Sequence, residues 1–590
     1  MILKVYTNIT RVEFDNEDEL EAKSLESIIH KGIDVLDPNR YNSSAFRIHH
    51  TWDGYTKMYN FKEHYFPNGL YDLAINALKS YQRNHEISLR IEDHRQVPII
   101  EPYEAIPDVQ KVTLGDKTIT PREDQVKAVR AAFDQQRGLI DSATNSGKTL
   151  IAALILKYAN SDGKFLFIAP SANVMNQAKK TFEAITGEEV GTWQGDHVDI
   201  KRITCVMAKT LANRLKDPSV GIKLKSKQDT ENKQIATNYT PLFKDVPNTR
   251  QAVLNYFSHY IPKHKYETEQ IKMICRFAKE CNSDLSMQAY LNQFDKDYHK
   301  ALYKLGKKKY DQYYFARDYL KTVTITIVDE CHKAASEGYQ SIFRHLDNSQ
   351  MMIGLSGSIR PEQVTRYHMI KAYLGVPITK IRNYLMIEEG VSATPHIKEL
   401  SINEPKNLDK LVQPELSQGK VTPLRQYQLE YKYGVIENDY RNRKIAELAK
   451  MCYNLDKGAC LIVVNSIEHG EHIGDMLEEL EVPYTFLKGS DDTETRQKTL
   501  DATKDGTLRV LLATKIIDEG LDTPNLQFLI YASAGSSPIQ LLQRIGRILR
   551  LGKDKKDVFV YDIVDKTSKF LYNQAKSRHK IYVEEKFDIM

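Results

Sequence analysis

The stretch Ser142-Ala143-Thr144-Asn145-Ser146-Gly147-Lys148-Thr149 places an amine and a hydroxyl directly behind a loop of small residues. The apolar run Leu139-Ile140 enters this loop, and the helical apolar pattern from Leu150 to Tyr158 leaves it. A strand–loop–helix of this kind can surround a polyphosphate, because its backbone N–H groups and the positive end of the helix both favour an anion. Lys148 would then reach the terminal phosphates, and the Thr149 hydroxyl would hold Mg²⁺. Alone the pattern is weak, since Gly-Lys-Ser/Thr arises by chance in about a third of chains this long. The loop also has Ser142 where the usual phosphate-loop pattern begins with Gly.

Other chemistry follows in order. The β-forming run Val323 to Val328 ends in Asp329-Glu330-Cys331-His332. Adjacent carboxylates at the end of a buried strand need partners. Mg²⁺ on Asp329, and a water polarised by Glu330 for attack on a γ-phosphate, would supply them. Met352 to Ser358 reads as another strand ending in hydroxyls, where Ser356 and Ser358 can couple neighbouring parts and Gly357 permits close backbone approach. Near the C-terminus, Arg544, Arg547 and Arg550 are spaced to share one helix face. Stacked guanidiniums repel one another unless an anion neutralises them, although a solvated helix face is the commoner use of such a repeat. The second half of the chain has no phosphate loop of its own. Arg547 and Arg550 are therefore expected to face a nucleotide held by the first half. Upstream, Arg122 and Gln125 sit on the first turn of a helix opened by Pro121, and the Gln amide can read an adenine edge.

These residues need a scaffold that brings distant segments together. Short apolar runs alternating with helical patterns indicate parallel α/β sheets, whose ligands bind at the carboxyl ends of the strands. The expected organisation is a small α+β domain over 1–100, a first α/β domain over 101–394 and a second over 395–590. A charged, helical insertion interrupts the first at about 217–320. In the N-terminal region, Met1 to Phe14 alternates like a strand and Leu20 to Ile29 has helical spacing. Ala45 to Tyr55 reads as a strand running into a turn, and Phe66-Pro67-Asn68-Gly69-Leu70 opens a helix over Tyr71 to Gln82. Arg47, His49, Trp52, Tyr55, Lys57 and Lys62 suit a nucleic-acid surface, and equally a core Trp with a charged rim. Pro98, Pro102 and Pro107 suit a linker. The insertion ends in a Lys/Tyr-rich run from Tyr298 through Lys307-Lys308-Lys309 to Tyr319, which fits phosphate contact and base stacking or a solvated helix over packed tyrosines.

Composition sets the limits. The 590 residues are 41% apolar and 27% charged, with a formal net charge of +5, as in a soluble protein of several domains. Six cysteines lack C-x-x-C spacing, which argues against a zinc or disulfide framework and for a reducing cytosol. Neither a secretory leader nor an apolar stretch of membrane-spanning length is evident, so a cytoplasmic protein without a membrane partner is expected.

Taken in order, Gln125, Ser142 to Thr149, Ala169-Pro170-Ser171, Asp329-Glu330-Cys331-His332, Ser356-Gly357-Ser358, Thr514 with Glu519-Gly520-Leu521-Asp522, and Gln543 to Arg550 resemble the motif series of superfamily 2 helicases. The resemblance implies two RecA-like domains with ATP between them. Thr51-Trp52-Asp53-Gly54 followed by Phe66 to Leu70 further resembles the accessory domain of UvsW-type recombination helicases of large phages, which implies DNA rather than RNA. By this likeness Arg122, Gln125, Ser142, Thr144, Asn145, Ser146, Gly147, Lys148, Thr149, Gly520 and Asp522 bind the nucleotide, and Thr149 and Asp329 hold Mg²⁺. Lys148, Asp329, Glu330, Gln543, Arg547 and Arg550 serve catalysis, Pro170, Ser171, Thr210 and Thr514 contact the nucleic acid, and Ser356 and Ser358 couple hydrolysis to movement. The implied activity is ATP-dependent unwinding or branch migration of DNA at branched or single-stranded/duplex junctions, in recombination, fork processing or repair, by a chain able to act as a monomer in the cytoplasm, the host's if it is phage-encoded. A duplex translocase that remodels protein–DNA complexes, an RNA helicase and a non-catalytic clamp remain as alternatives. Ser-Gly-Ser in place of the commoner Ser-Ala-Thr, and the long insertion, depart from the usual pattern; the insertion leaves strand polarity open.

Overall fold

The central strands are runs of β-branched and large apolar residues hidden on both faces, among them Lys164–Ala169, Val323–Asp329 and Met351–Ser356. Strands of that kind require helices over both faces of a parallel sheet, and the computed structural model contains two such sheets. It describes residues 1–14, 19–47, 49–95, 100–107, 111–114, 117–143, 146–218, 249–258, 265–419, 421–514, 525–535, 538–549 and 555–590.

The first sheet runs in the order His197–Val198, Val190–Gln194, Ile203–Met207, Lys164–Ala169, Val323–Asp329, Met351–Ser356, Arg137–Ser142, Pro377–Ile381. Its strands are parallel apart from the short His197–Val198 edge. Register aligns the carboxyl ends: Ser356 pairs with Asp141, Asp329 with Leu355, and Ile381 with Ser142. Four sequence-distant strands thus end side by side. The helix Lys148–Tyr158 is apolar on every side, and Ile151 through Leu156 are all buried. Such a helix must be enclosed, here between the sheet and the helices Glu123–Gln135 and Ala172–Thr186. Truncating one of its core side chains, such as Leu154, would cost about 2–5 kcal/mol.

The second sheet is wholly parallel, in the order Thr485–Leu487, Val510–Ala513, Ala459–Val463, Leu526–Tyr531, Asp557–Asp565, Thr394–Ile402, Asp588–Ile589. The two helix-covered parallel sheets are the α/β architecture of RecA-like domains.

Ahead of them, a four-stranded sheet, Tyr65–Pro67, Ile9–Glu13, Ile2–Val5, Arg90–Asp93, carries the helices Glu19–Ile33 and Tyr71–Gln82. It is joined to the first parallel-sheet domain by polar contacts: Asn8 Nδ2 donates to Phe343 O (3.0 Å) and Arg137 Nη2 to Thr7 O (2.6 Å). The strand expected over Ala45 to Tyr55 is not formed. Ser44–Arg47 is a short helix, Ile48 lies outside the described residues, and only Tyr55–Thr56 is extended against Val35–Leu36. A local aromatic cluster outcompetes strand pairing there: the Phe46 and Trp52 rings meet edge to face, and the Trp52 indole N–H donates to Tyr55 O (2.8 Å).

Lys209–Thr322 is a separate compact unit. Its helices Arg250–Ser258, Lys265–Glu280 and Asp284–Lys321 share a core of Val253, Phe257, Ile274, Ala278 and Met287. The last helix has 38 residues and departs from helical geometry at Gly306.

Candidate functional site: a nucleotide-type cleft at the carboxyl ends of the first sheet

The strand Arg137–Ser142 hands the chain to a turn, and Gly147 caps the next helix with φ +81°. Only glycine adopts that angle freely, and a Cβ at this position would collide with Gln125 Nε2. Ser142 Oγ and Ser146 Oγ are hydrogen-bonded across the loop. The Gln125 amide is used on both sides: Nε2 donates to Ser146 O (2.7 Å), while Oε1 accepts from Arg122 N (2.9 Å). The Arg122 guanidinium also donates to Ser146 O (3.1 Å). Arg122 and Gln125 therefore brace the loop from the side, with the Gln amide held inside the protein. Thr149 begins the first turn of the helix, and Thr144 and Asn145 lie outside the described residues.

Lys148 Nζ lies 3.5 Å from Glu330 Oε1. Burial alone would lower the lysine's pKa, but the neighbouring Glu330 and Asp329 carboxylates outweigh it and raise the value. Burial pushes the Asp329 carboxyl up to about 7, with Glu330 adding to the rise and Lys148 opposing it. Burial acts on Glu330 in the same direction, yet Lys148 and His332 reverse it and hold that carboxyl well below the ordinary range. Of the two carboxylates, Glu330 is the one paired with the lysine. Its backbone is left-handed, with φ +48° and ψ +48°, a conformation that costs a non-glycine residue roughly 1–3 kcal/mol and concentrates at functional sites.

From Glu330 a polar path continues into the next strand. His332 Nδ1 is 3.1 Å from Glu330 Oε2 and 2.9 Å from Ser356 Oγ. Ser356 Oγ in turn accepts from the Ser358 backbone N–H (3.2 Å). Between the two serines, a Cβ on Gly357 would stand 2.7 Å from Ser142 O. The Ser-Gly-Ser segment thus packs directly against the start of the phosphate-type loop. Lys148, Asp329, Glu330, Ser356 and Ser358 are brought together.

Pro170 and Ser171 follow the strand Lys164–Ala169, and Ser171 caps the helix Ala172–Thr186 while its buried Oγ finds no hydrogen-bond partner among the described residues. Thr514 follows Val510–Ala513 in the second sheet, and its N–H donates to Leu487 O (3.2 Å). Thr210 belongs to the separate Lys209–Thr322 unit. Gln543 and Arg547 lie on the helix Pro538–Ile548, but their side chains are outside the described set, as are the residues Gly520, Asp522 and Arg550.

Arg544 lies on the same helix, Pro538–Ile548. It is fully buried, and its Nη1 donates to Ser533 Oγ (3.1 Å). It belongs to a set of side chains, not evident from sequence, that fixes the segment Ala532–Gly535 ahead of the arginine-bearing helix. Tyr431 Oη and Asn465 Nδ2 both donate to Ser533 O, at 2.8 and 2.9 Å. Arg578 Nη1 donates to Gly535 O (2.9 Å), while its Nε is held by the buried Asp562. Behind the loop strand, Arg382 Nη1 lies 3.9 Å from Asp141 and 3.8 Å from Glu585, and Asn383 Nδ2 donates to Glu585 (2.7 Å). These contacts tie the start of the phosphate-type loop to the C-terminal end of the second sheet domain.

No helix among the described residues is long and apolar enough to cross a membrane, and the six cysteines are free thiols.

Two family models match the chain in sequence order. Residues 118–360 match the type III restriction enzyme res subunit family, and residues 443–552 match the helicase conserved C-terminal domain. Among curated relatives, the protein designated helicase 22 of Sulfolobus islandicus filamentous virus is 24% identical over 293 residues, covering 48% of this chain and 50% of that protein. The ATP-dependent DNA helicase UvsW of Enterobacteria phage T4 is 27% identical over 283 residues, covering 44% and 52%. The chain thus spans about half the length of the curated relatives it matches. The crystal structure of T4 UvsW aligns over 100% of this chain and 99% of its own, with a TM-score of 0.37 and 17% identity. The two models, matched in sequence order, fall on the two sheet domains, and the chain is similar to the superfamily 2 helicases, which are ATP-hydrolysing enzymes, and resembles UvsW among them.

Proposed function

We propose that this chain is a DNA-stimulated ATPase that moves along DNA and unwinds or branch-migrates duplexes at branched or single-stranded/duplex junctions. The observation that carries the reading is the continuous polar path Lys148–Glu330–His332–Ser356, which joins the phosphate-type loop to the neighbouring strand end. Such a path lets a change at the phosphates be felt at Ser356 and Ser358, where movement would be coupled.

The chain's own residues supply the chemistry in a definite order. Lys148 exchanges its Glu330 partner for the β- and γ-phosphates of ATP. Glu330, freed from that pair, orients a water for in-line attack and accepts its proton, while ADP leaves with the electron pair of the broken P–O bond. Thr149 and Asp329 offer a hydroxyl and a carboxylate, the hard oxygen donors that suit Mg²⁺. When bound, Mg²⁺ would neutralise charge on the phosphates. Arg547 and Arg550 are assigned to the γ-phosphate from the second domain, a role worth roughly 10³–10⁵ in rate where it has been measured. Arg122 and Gln125 hold the loop in shape beside the base, with Gly520, Asp522 and Gln543 completing the site.

Pro170, Ser171, Thr210 and Thr514 are assigned to the strand-binding face. The unpaired buried hydroxyl of Ser171 suits a phosphate oxygen. DNA is preferred over RNA because UvsW is named a DNA helicase and because the Thr51-Trp52-Asp53-Gly54 segment resembles that group. Contacts to the backbone predict little sequence preference and a strong salt dependence. The test is ATP turnover with and without single-stranded DNA, followed by strand displacement on forked and four-way substrates. Stimulated turnover with displacement supports the reading. Turnover without displacement replaces unwinding by remodelling, and absence of turnover removes the motor.

A further inference from the structure

The charge of the molecule is unevenly divided. The Lys209–Thr322 unit contains 22 Lys and Arg against 12 Asp and Glu, whereas the remaining residues contain 61 against 66. One compact unit is strongly basic while the rest of the chain is net acidic. A polyanion approaching this protein is therefore attracted to the inserted unit and weakly repelled elsewhere at long range.

Where side chains are described, much of this basic charge is exposed. On the helix Lys265–Glu280, Lys272, Arg276 and Lys279 are exposed at spacings of four and three, which place them along one face; Glu280 pairs with Arg276 at its end. On the helix Asp284–Lys321, Lys307, Lys308 and Lys309 follow the bend at Gly306 and all are exposed. About one and a half turns further on, Tyr314 and Phe315 are about half exposed, at 46% and 47%, and Lys321, about two turns beyond them, is exposed. Tyr310, Ala316, Tyr319 and Leu320 are the buried residues of the same stretch of helix. The Tyr314 ring meets those of Tyr310 and Tyr313, with centroids 6.2 and 5.5 Å away, yet keeps about half of its surface open. Asp311 and Asp318 lie on the outer face too, so the stripe is a mixture of lysines, rings and two carboxylates rather than a uniform basic strip. That mixture suits a strand whose phosphates meet lysines while its bases lie on rings; a duplex presents no free base faces.

We propose that the Lys209–Thr322 unit is a single-strand-binding arm, in which Lys307, Lys308 and Lys309 take phosphates and Tyr314 and Phe315 stack on bases. This rests on the reading that the chain acts on nucleic acid, and adds further contacts to Pro170, Ser171, Thr210 and Thr514 assigned above, of which Thr210 belongs to this same unit. The arm holds the displaced or tracking strand by electrostatics and stacking, with little dependence on sequence.

The test compares the full-length protein with three variants: Lys307→Ala/Lys308→Ala/Lys309→Ala, the matching Arg triple, and Tyr314→Ala/Phe315→Ala. Binding of a fluorescent oligothymidine and of a hairpin duplex is followed by anisotropy between 50 and 300 mM salt, chosen as roughly the range over which counterion release is measurable. For oligothymidine, the Ala triple should flatten the plot of log K against log salt by about 0.7 for each phosphate that is no longer neutralised, and the Arg triple should not. The ring variant should weaken oligothymidine roughly tenfold with little change in salt slope and little effect on the duplex. ATP turnover without DNA should be unchanged in all three. Unaltered oligothymidine binding by the Ala triple and the ring variant overturns the proposal, as does equal weakening in the Arg triple, which reports a structural role. Equal loss on oligothymidine and duplex overturns the single-strand assignment. If the parent protein binds DNA in this way but does not hydrolyse ATP, the arm stands and the motor reading falls.

Discussion

His332 Nδ1 lies 2.9 Å from Ser356 Oγ, and the same ring is 3.1 Å from Glu330 Oε2. One imidazole therefore bridges the residue assigned to water activation and the strand end assigned to coupling. Ser356→Ala removes the bridge, together with the long contact from Ser356 Oγ to Glu330 Oε2 (3.5 Å), and leaves the Lys148–Glu330 pair in place. ATP turnover should stay within about threefold of the parent, while strand displacement falls about tenfold or more, equivalent to about 1.4 kcal/mol in the coupled step. Parallel ATPase and displacement assays read both; equal losses in the two would place Ser356 in hydrolysis itself.

Gly147 combines a φ of +81° with a Cβ position already filled by Gln125 Nε2. Gly147→Ala should therefore weaken ATP binding through two separable effects. The left-handed backbone costs about 1–2 kcal/mol, and the clash with Gln125 adds to it. In Gly147→Ala/Gln125→Ala the clash is relieved while the backbone cost remains. The apparent KM for ATP should rise in the single variant and recover in part in the double one. Full recovery would show that backbone strain contributes nothing.

Tyr431 Oη donates 2.8 Å to Ser533 O in the segment that leads to the helix bearing Arg547. Tyr431→Phe deletes that hydrogen bond and the one Asn465 Nδ2 donates to Tyr431 Oη (3.1 Å), and keeps the ring. The expected stability loss is modest, about 0.5–1.5 kcal/mol. kcat should fall several-fold at unchanged DNA affinity, because only the aim of the arginine helix is loosened. Thermal denaturation, DNA binding and kcat measured together separate this from general unfolding, in which all three would fall.

His469 is buried with Nε2 3.1 Å from Asn442 Oδ1. Burial first, then the Arg441 and His472 charges, holds its pKa well below the ordinary histidine value. Its folded-state pKa is thus lower than its unfolded one, so the unfolded chain takes up the proton more readily. This contribution to stability is complete above about pH 6.5 and shrinks as pH falls below it, by at most about 1.4 kcal/mol per pH unit. Urea midpoints at pH 8 and pH 5.5 should converge more closely in His469→Gln than in the parent. An identical drop in both would show that other groups carry the acid sensitivity.

Elements with long, regular patterning were legible in the sequence. The helix Tyr71–Gln82 falls where its apolar spacing puts it, and Val323–Asp329 ends at the carboxylate pair that its composition marks. The misreading at Ala45 to Tyr55 arose because a short apolar-aromatic run satisfies a strand and a local cluster equally well. The phosphate-type loop, the carboxylate pair and the Ser-Gly-Ser segment were visible as motifs. Their adjacency was not, since it depends on strand order and on register such as Ser356 against Asp141. The braces were hidden for the same reason. Tyr431, Asn465 and Arg578 carry no local signal, and each meets the 533–535 segment across 43 to 102 residues of chain. The Gln125 contacts to Ser146 O and Arg122 N, which brace the loop, appear only once the helix is packed beside it.

The central claim is that Glu330, held by Lys148 at 3.5 Å, orients the water that attacks ATP once that lysine turns to the phosphates. Single-turnover hydrolysis by Glu330→Gln, with bound ATP and bound single-stranded DNA measured in the same samples, tests it most directly. ATP and DNA should both remain bound while the hydrolysis step slows by at least about a hundredfold, as for loss of a general base. Hydrolysis at the parent rate in that variant would contradict the account.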